Sequence, residues 1–199
     1  MSKIYDIQEK IKESLNTTRN PAAYFENNIL KECPDEKACL FPGKLYVFDY
    51  HMKDTKKLYD THPYVMSLGP DKEIRTTFYA INMHHMPYAI RLQFFTYVYK
   101  QMSSMIDKEI ENCAGIEDAQ NQNFILAINS ENMLKIPFVL KPAINKYKIE
   151  NISDCKLVNY NLIHYMLQSD ENFFKNGTIQ DAQAKYMEAV LKPKNNKVK

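Results

Sequence analysis

Apolar positions recur along this chain with two different periods, and the change from one to the other marks where its architecture changes. Ile4, Ile7, Ile11 and Leu15 fall at steps of three and four with Glu9, Lys10, Lys12 and Glu13 between them, which predicts a helix with one narrow apolar stripe. A stripe that narrow fits a groove on a partner, so these four residues are candidates for a subunit interface. Asn20 before Pro21 reads as an N-cap with proline in the first turn, opening a second helix through Tyr24, Phe25, Ile29 and Leu30 that ends before Cys33 and Pro34. Residues 34–42 read as a linker.

At Gly43 the period drops to two. Tyr46, Phe48 and Tyr50 alternate along residues 44–50 and place three rings on one face of a strand. Two more strand-like runs, 64–68 and 74–83, flank the turn residues Gly69, Pro70, Asp71 and Lys72. Three short strands leave two open edges, so the unit at 43–86 is expected to close as a small SH3-like or related β-barrel, with its fourth and fifth strands around 156–167. Pro87 opens the longest predicted helix, 88–112, through Phe95, Val98, Met102, Met105, Ile106 and Ile110, and Gly115 stops it.

Further on, 123–129 is a short apolar run, 142–150 looks helical and 156–160 extended. Thr178, with Asp181 three positions on, caps a last helix to residue 191 that buries Ile179, Ala182, Tyr186, Met187 and Val190. The reading is an α+β protein in three parts: an N-terminal helical arm and linker (1–42), an α+β core (43–191) and a basic, flexible tail (192–199).

Composition narrows the function classes more than it selects one. The 199 residues carry 26 Lys plus Arg against 24 Asp plus Glu, a formal +2 that argues against wholesale coating of nucleic acid. Only three of the cations are Arg, the residue of bidentate phosphate and guanine recognition, so sequence-specific DNA reading is disfavoured. Cys33, Cys39, Cys113 and Cys155 include no C-x-x-C pair and are expected to be reduced thiols. The charged start, Met1 to Asp6, lacks the apolar core of a signal peptide, and no run of eighteen apolar residues exists, which predicts neither export nor a membrane span. The sequons at Asn16, Asn151 and Asn176 carry no weight without a secretory signal.

Chemical motifs are sparse. The four glycines are isolated, so neither a Walker loop nor a dinucleotide fingerprint is present, and G-x-S-x-G and H-E-x-x-H are missing. His51, His62, His84 and His85 surround the β-unit. His84 and His85, read as strand neighbours, point to opposite faces and have no acidic residue at strand spacing, so no metal or cofactor is expected. Asp49 and Asp60 are expected to be strand-end carboxylates near Lys53, Lys56 and Lys57 rather than an acid–base pair. The rings of Tyr46, Phe48 and Tyr50 alternate with Leu45, Val47 and Asp49 rather than with cations, which favours a core or protein interface over base stacking.

The residues from 43 to 91 carry a resemblance. Gly43, Tyr46, Phe48 and Tyr50, then Tyr59-Asp60-x-x-Pro63, then Gly69-Pro70, then Phe78, Asn82, His84, Pro87 and Arg91 are similar to a motif series in a family of small proteins from the structural-gene regions of tailed double-stranded DNA phages. Residues 140–147 are similar to that family's K-P-x-x-K-x-Y-L helix. Ala80 and His85 stand where the family has Gly and an aromatic residue. The resemblance implies a scaffold rather than a reaction centre, and a virion protein made in the host cytoplasm. Lys- and Asn-rich composition is compatible with a crAss-like phage.

Two stations follow from the resemblance. The main expectation is a non-enzymatic ring subunit in the neck or tail, with DNA passing through the ring and with portal, adaptor or neighbouring ring proteins as partners. The alternative is an end protector of the T4 type bound to genome termini, and the tail at 192–199 allows nonspecific DNA contact. A third reading, an enzyme using His84 or His62 as acid–base group, requires a carboxylate beside one of them in a concave site.

Overall fold

The structure is a computed structural model that describes residues 13, 15–36, 41–53, 56–71, 73–109, 138–159, 162–168 and 173–192, the side chains of 99–109, 138 and 139 excepted. Ile4, Ile7, Ile11, the run at 123–129, the end of the helix expected to reach residue 112, and 193–199 lie outside the described residues. Of the first predicted helix, 13 and 15–17 are helical, and Leu15 is exposed.

Helix α1 (residues 21–32) starts as predicted: Asn20 Oδ1 accepts from the Ala23 amide at 3.0 Å and Pro21 takes the first position. Its middle, Phe25–Ile29, is wound as a π-helix, a local over-insertion that sequence periodicity does not reveal. Phe25 is fully buried and stacks on Tyr165 with ring centroids 5.8 Å apart. The segment after α1 is not a free linker. The Glu36 amide donates to Cys155 O and the Leu157 amide to Pro34 O, so residues 34–36 pair with the outer strand of the sheet.

That sheet has five antiparallel strands: β1 (Leu45–Tyr50), β3 (Tyr64–Pro70), β4 (Thr77–Asn82), β5 (Ile144–Lys148) and β6 (Ile152–Val158), in the order β5-β4-β3-β1-β6. A short ribbon pairs β2 (Tyr59–Asp60) with β7 (Phe174–Lys175). The mixture of helices and antiparallel strands makes the protein α+β. Three expectations are corrected. The β-unit does not stand alone at 43–86, because β5 and β6 complete it from far along the chain. Residues 142–150 are not a helix: a 3₁₀ turn, Phe138–Ala143, ends there and β5 follows. Its Ile-Asn-Lys-Tyr-Lys composition suits an edge strand with one buried ring, a weak signal in a single sequence. The region 156–167 supplies the end of β6 and then helix α3 (Ile163–Met166), not two strands.

Both faces of the sheet are buried. Leu45, Val47, Met66 and Ile81 face the helices, joined by Phe25, by Phe95 and Val98 of α2 (Tyr88–Glu109), by Met166 of α3 and by Tyr186 of α4 (Ile179–Leu191). On the other side Tyr46, Phe48 and Tyr50 meet Val65, Phe78 and Tyr147. Phe48 and Tyr50 touch Tyr147 at centroid distances of 5.4 and 5.0 Å, although two strands lie between β1 and β5. Such contact requires the sheet to roll until its distant strands meet, which makes the three-ring face an interior. The Lys148 amide donates to Tyr50 Oη, and the 3₁₀ turn Ile149–Asn151 turns β5 into β6.

Candidate functional site

The residues that carried the sequence resemblance converge, and most of them are inaccessible. Gly43 adopts φ +79° and its amide donates to Ser67 O, closing the start of β1 onto β3. Gly69, at φ +99° in a β-bulge, lies so close under Pro42 that a Cβ there would come 2.8 Å from Pro42 Cγ. Pro70 is exposed and Pro63 buried. Pro87 O accepts from the Ile90 and Arg91 amides and so starts α2, whose Arg91 is 2% exposed with Nη1 3.5 Å from Met166 O.

At the centre is a sealed polar network. Asp60, on β2, accepts from Asn82 Nδ2 at 3.0 Å and from the His62 amide at 3.0 Å, and its Oδ2 lies 2.6 Å from His84 Nδ1. Asn82, at the end of β4, also reaches Tyr147 Oη at 3.1 Å and accepts the His84 amide on Oδ1. Gln183 of α4 donates to His84 O. Burial pushes the Asp60 carboxyl up, but attraction to His84 and the hydrogen bonds from His84, Asn82 and the His62 amide outweigh it and hold it below the usual range. One carboxylate thereby ties the β2–β7 ribbon to β4, β5 and α4. His84 and His85 sit in a 3₁₀ turn, Met83–His85, rather than on a strand, and both turn out to be partnered. His85 Nδ1 lies 3.2 Å from Asn145 Nδ2, and burial lowers its pKa to about 4.

A second cluster lies nearer the surface. His62 Nδ1 is 2.7 Å from Asp49 Oδ1 on β1, and His62 Nε2 is 3.3 Å from Glu26 Oε2 on the π-helical turn of α1. Burial alone would lower the imidazole, but Glu26 and then Asp49 raise it to about 9, so it is an imidazolium at neutral pH. Sequence reasoning missed both carboxylate–histidine pairs. It searched for acids at strand spacing beside the histidines, whereas these acids come from other elements. Among the described residues no group of His, Cys, Asp and Glu is arranged to hold a metal ion, and no helix is long and apolar enough to cross a membrane.

Some lysines are paired and others lie free of the ion pairs described. Lys146, Lys148, Lys156 and Lys192 have carboxylate partners, the first at 2.5 Å from Asp71, whose pKa it lowers to about 2. Lys53, Lys56 and Lys57 lie on the exposed loop that leads into β2, and Lys175 of β7 rests over the Tyr59 ring at 5.8 Å. Asp49 and Asp60, expected as strand-end carboxylates near Lys53, Lys56 and Lys57, are each engaged by a histidine.

A family model described as phage T4 terminal DNA protecting protein matches residues 3–171. No curated protein and no solved structure matches.

Proposed function

The chain belongs to the phage T4 terminal DNA protecting protein family, and on that premise we propose that it is a non-enzymatic virion protein that binds the ends of linear duplex DNA and denies them to exonucleases. The family match over most of the chain carries this reading. It reverses the order of the two stations expected from sequence, where near-neutral charge weighed against DNA. That weighting assumed contacts along a duplex. A terminus offers a protein of this size only a few phosphates, so a few unpaired cations suffice where a groove-binding protein needs a broad basic face.

The histidines considered for acid–base work support a protective rather than a catalytic role. His84 is fully buried against Asp60 and cannot reach a substrate. His62 already holds its proton between two carboxylates and is a poor base at neutral pH. The motif residues from Gly43 to Arg91 act as scaffold, and the strand order together with the 3₁₀ turn between β5 and β6 supports an SH3-like reading of the rolled sheet. A ring subunit beside the portal is the other station expected from the resemblance, but of its docking stripe only Leu15, which is exposed, lies within the described residues.

A competition titration tests the reading. A labelled blunt duplex bound by the protein should be displaced by unlabelled linear DNA in proportion to the number of ends added, and hardly at all by closed circles of the same sequence. Displacement that follows base pairs regardless of ends overturns it.

A further inference from the structure

Between β7 and α4 the chain turns through Asn176, Gly177 and Thr178, and the first two are the sequence's one Asn-Gly pair. Each has a structural reason to be there. Asn176 is exposed and sits at φ +61°, a left-handed backbone that asparagine tolerates better than most side chains. At Gly177, Leu58 Cδ1 fills the place a Cβ would take. The peptide group that joins them is untethered: the Asn176 carbonyl, the Gly177 amide and the Asn176 side chain hydrogen-bond to no described residue. Other asparagines are held. Asn82 is buried with both ends of its side chain bonded, and Asn20 Oδ1, Asn28 Nδ2 and Asn145 Nδ2 bond to backbone groups. The Asn151 carbonyl accepts from the His51 amide, and the next residue is the β-branched Ile152, paired with Tyr50 in the sheet.

We propose that Asn176 is a site of spontaneous deamidation in the folded protein. The Gly177 nitrogen, on losing its proton to hydroxide, attacks Asn176 Cγ. An N–Cγ bond forms, the Cγ–Nδ2 bond breaks, and the side-chain nitrogen takes a proton from water and leaves as ammonia, which regenerates the hydroxide. The five-membered imide then takes up one water across either of its C–N bonds. Opening at Cγ gives aspartate, and opening at the backbone carbonyl gives isoaspartate; nothing is oxidised or reduced. The left-handed resting turn does not itself hold the attack geometry. Glycine, however, presents no side chain to crowd the nitrogen, and rotating this peptide plane breaks no hydrogen bond to a described residue, so the geometry is reached at little cost. Either product places a negative charge next to the exposed Lys175. Isoaspartate also lengthens the backbone by one carbon between the Tyr59–Lys175 ladder pair and the Thr178–Asp181 capping box, which loosens the first turn of α4.

Peptide mass spectrometry on the whole protein, aged in mildly alkaline buffer with and without urea, tests the site. In the native protein the peptide carrying Asn176 should gain about 1 Da and split into aspartate and isoaspartate isomers. It should do so about tenfold faster, or more, than the peptides carrying Asn82, Asn145 and Asn151, and about as fast as in urea. The rate should rise with pH, because the attacking nitrogen must first lose its proton. Asn176→Gly accepts the left-handed backbone and keeps the fold, and it should abolish the acidic species that ion exchange resolves from aged wild type. Conversion of Asn176 only in urea, or no faster than that of Asn151, would overturn the proposal. So would an acidic species that forms as quickly in Asn176→Gly as in wild type.

Discussion

The Asp60 carboxylate and the His84 imidazole meet at 2.6 Å with their side chains 1% and 0% exposed, although they lie 24 residues apart and on different elements. A buried pair of this kind is a weak source of net stability but expensive to break, because the partner left behind is buried without compensation. Asp60→Ala should therefore destabilise the fold by about 3–5 kcal/mol in urea unfolding, since it strands both His84 Nδ1 and an Asn82 amide proton. Tyr147→Phe, which removes one acceptor from the same network, should cost about 1 kcal/mol. Equal and small losses for the two variants would show that Asp60 is not the anchor of the ribbon.

His62 sets the alkaline limit of stability. Its pKa is raised from 6.5 to about 9 by Glu26 and Asp49 against the pull of burial. A histidine raised in the folded state stabilises it fully below its unfolded pKa and loses that contribution as pH climbs through the folded value. Unfolding free energy should thus fall by about 2–3 kcal/mol between pH 6.5 and 9, and His62→Gln should flatten the decline. His85 acts in the opposite direction: lowered by burial to about 4, it must gain a proton on unfolding, so stability should also fall as pH drops from 6.5 towards 4. Thermal midpoints that do not change from pH 6.5 to 9 would contradict the role given to His62.

Gly69 holds the bulge of β3 under Pro42. A side chain at this position meets both a positive φ and a steric contact with a proline ring. Gly69→Ala should cost about 1–3 kcal/mol, measured by the denaturation midpoint. Gly177→Ala should be milder, because the atom it meets is the mobile end of Leu58. A neutral Gly69→Ala would mean that the Pro42 contact relaxes without cost.

What could be read from the sequence was what depends on neighbours a few residues apart. The Asn20 and Thr178 caps, the alternation of Tyr46, Phe48 and Tyr50, and the pairing of the two strands around 64–83 are local signals, and the elements they predict are present, although the turn expected at 69–72 begins only at Asp71, because Gly69 and Pro70 still pair with β4. β4 starts at Thr77 rather than residue 74, because Asp71 Oδ1 accepts from the Glu73 and Ile74 amides and extends the turn. β5 and β7 escaped notice for a different reason. β5 hides one buried ring among lysines, and β7 is two residues long, so neither has enough length to display a period. The site was least legible, since Glu26, Asp49 and His62 come from three elements and Asp60 finds His84 only after folding.

Nuclease protection decides whether this protein guards DNA ends. Linear duplex with blunt ends should be incubated with the protein and then with a processive double-strand exonuclease, and its survival compared with that of the same DNA exposed to an endonuclease cutting at an internal site. The exonuclease half-life should rise with protein until both ends are covered, while internal cleavage is unaffected. Loss of linear DNA at the same rate with and without saturating protein would contradict it.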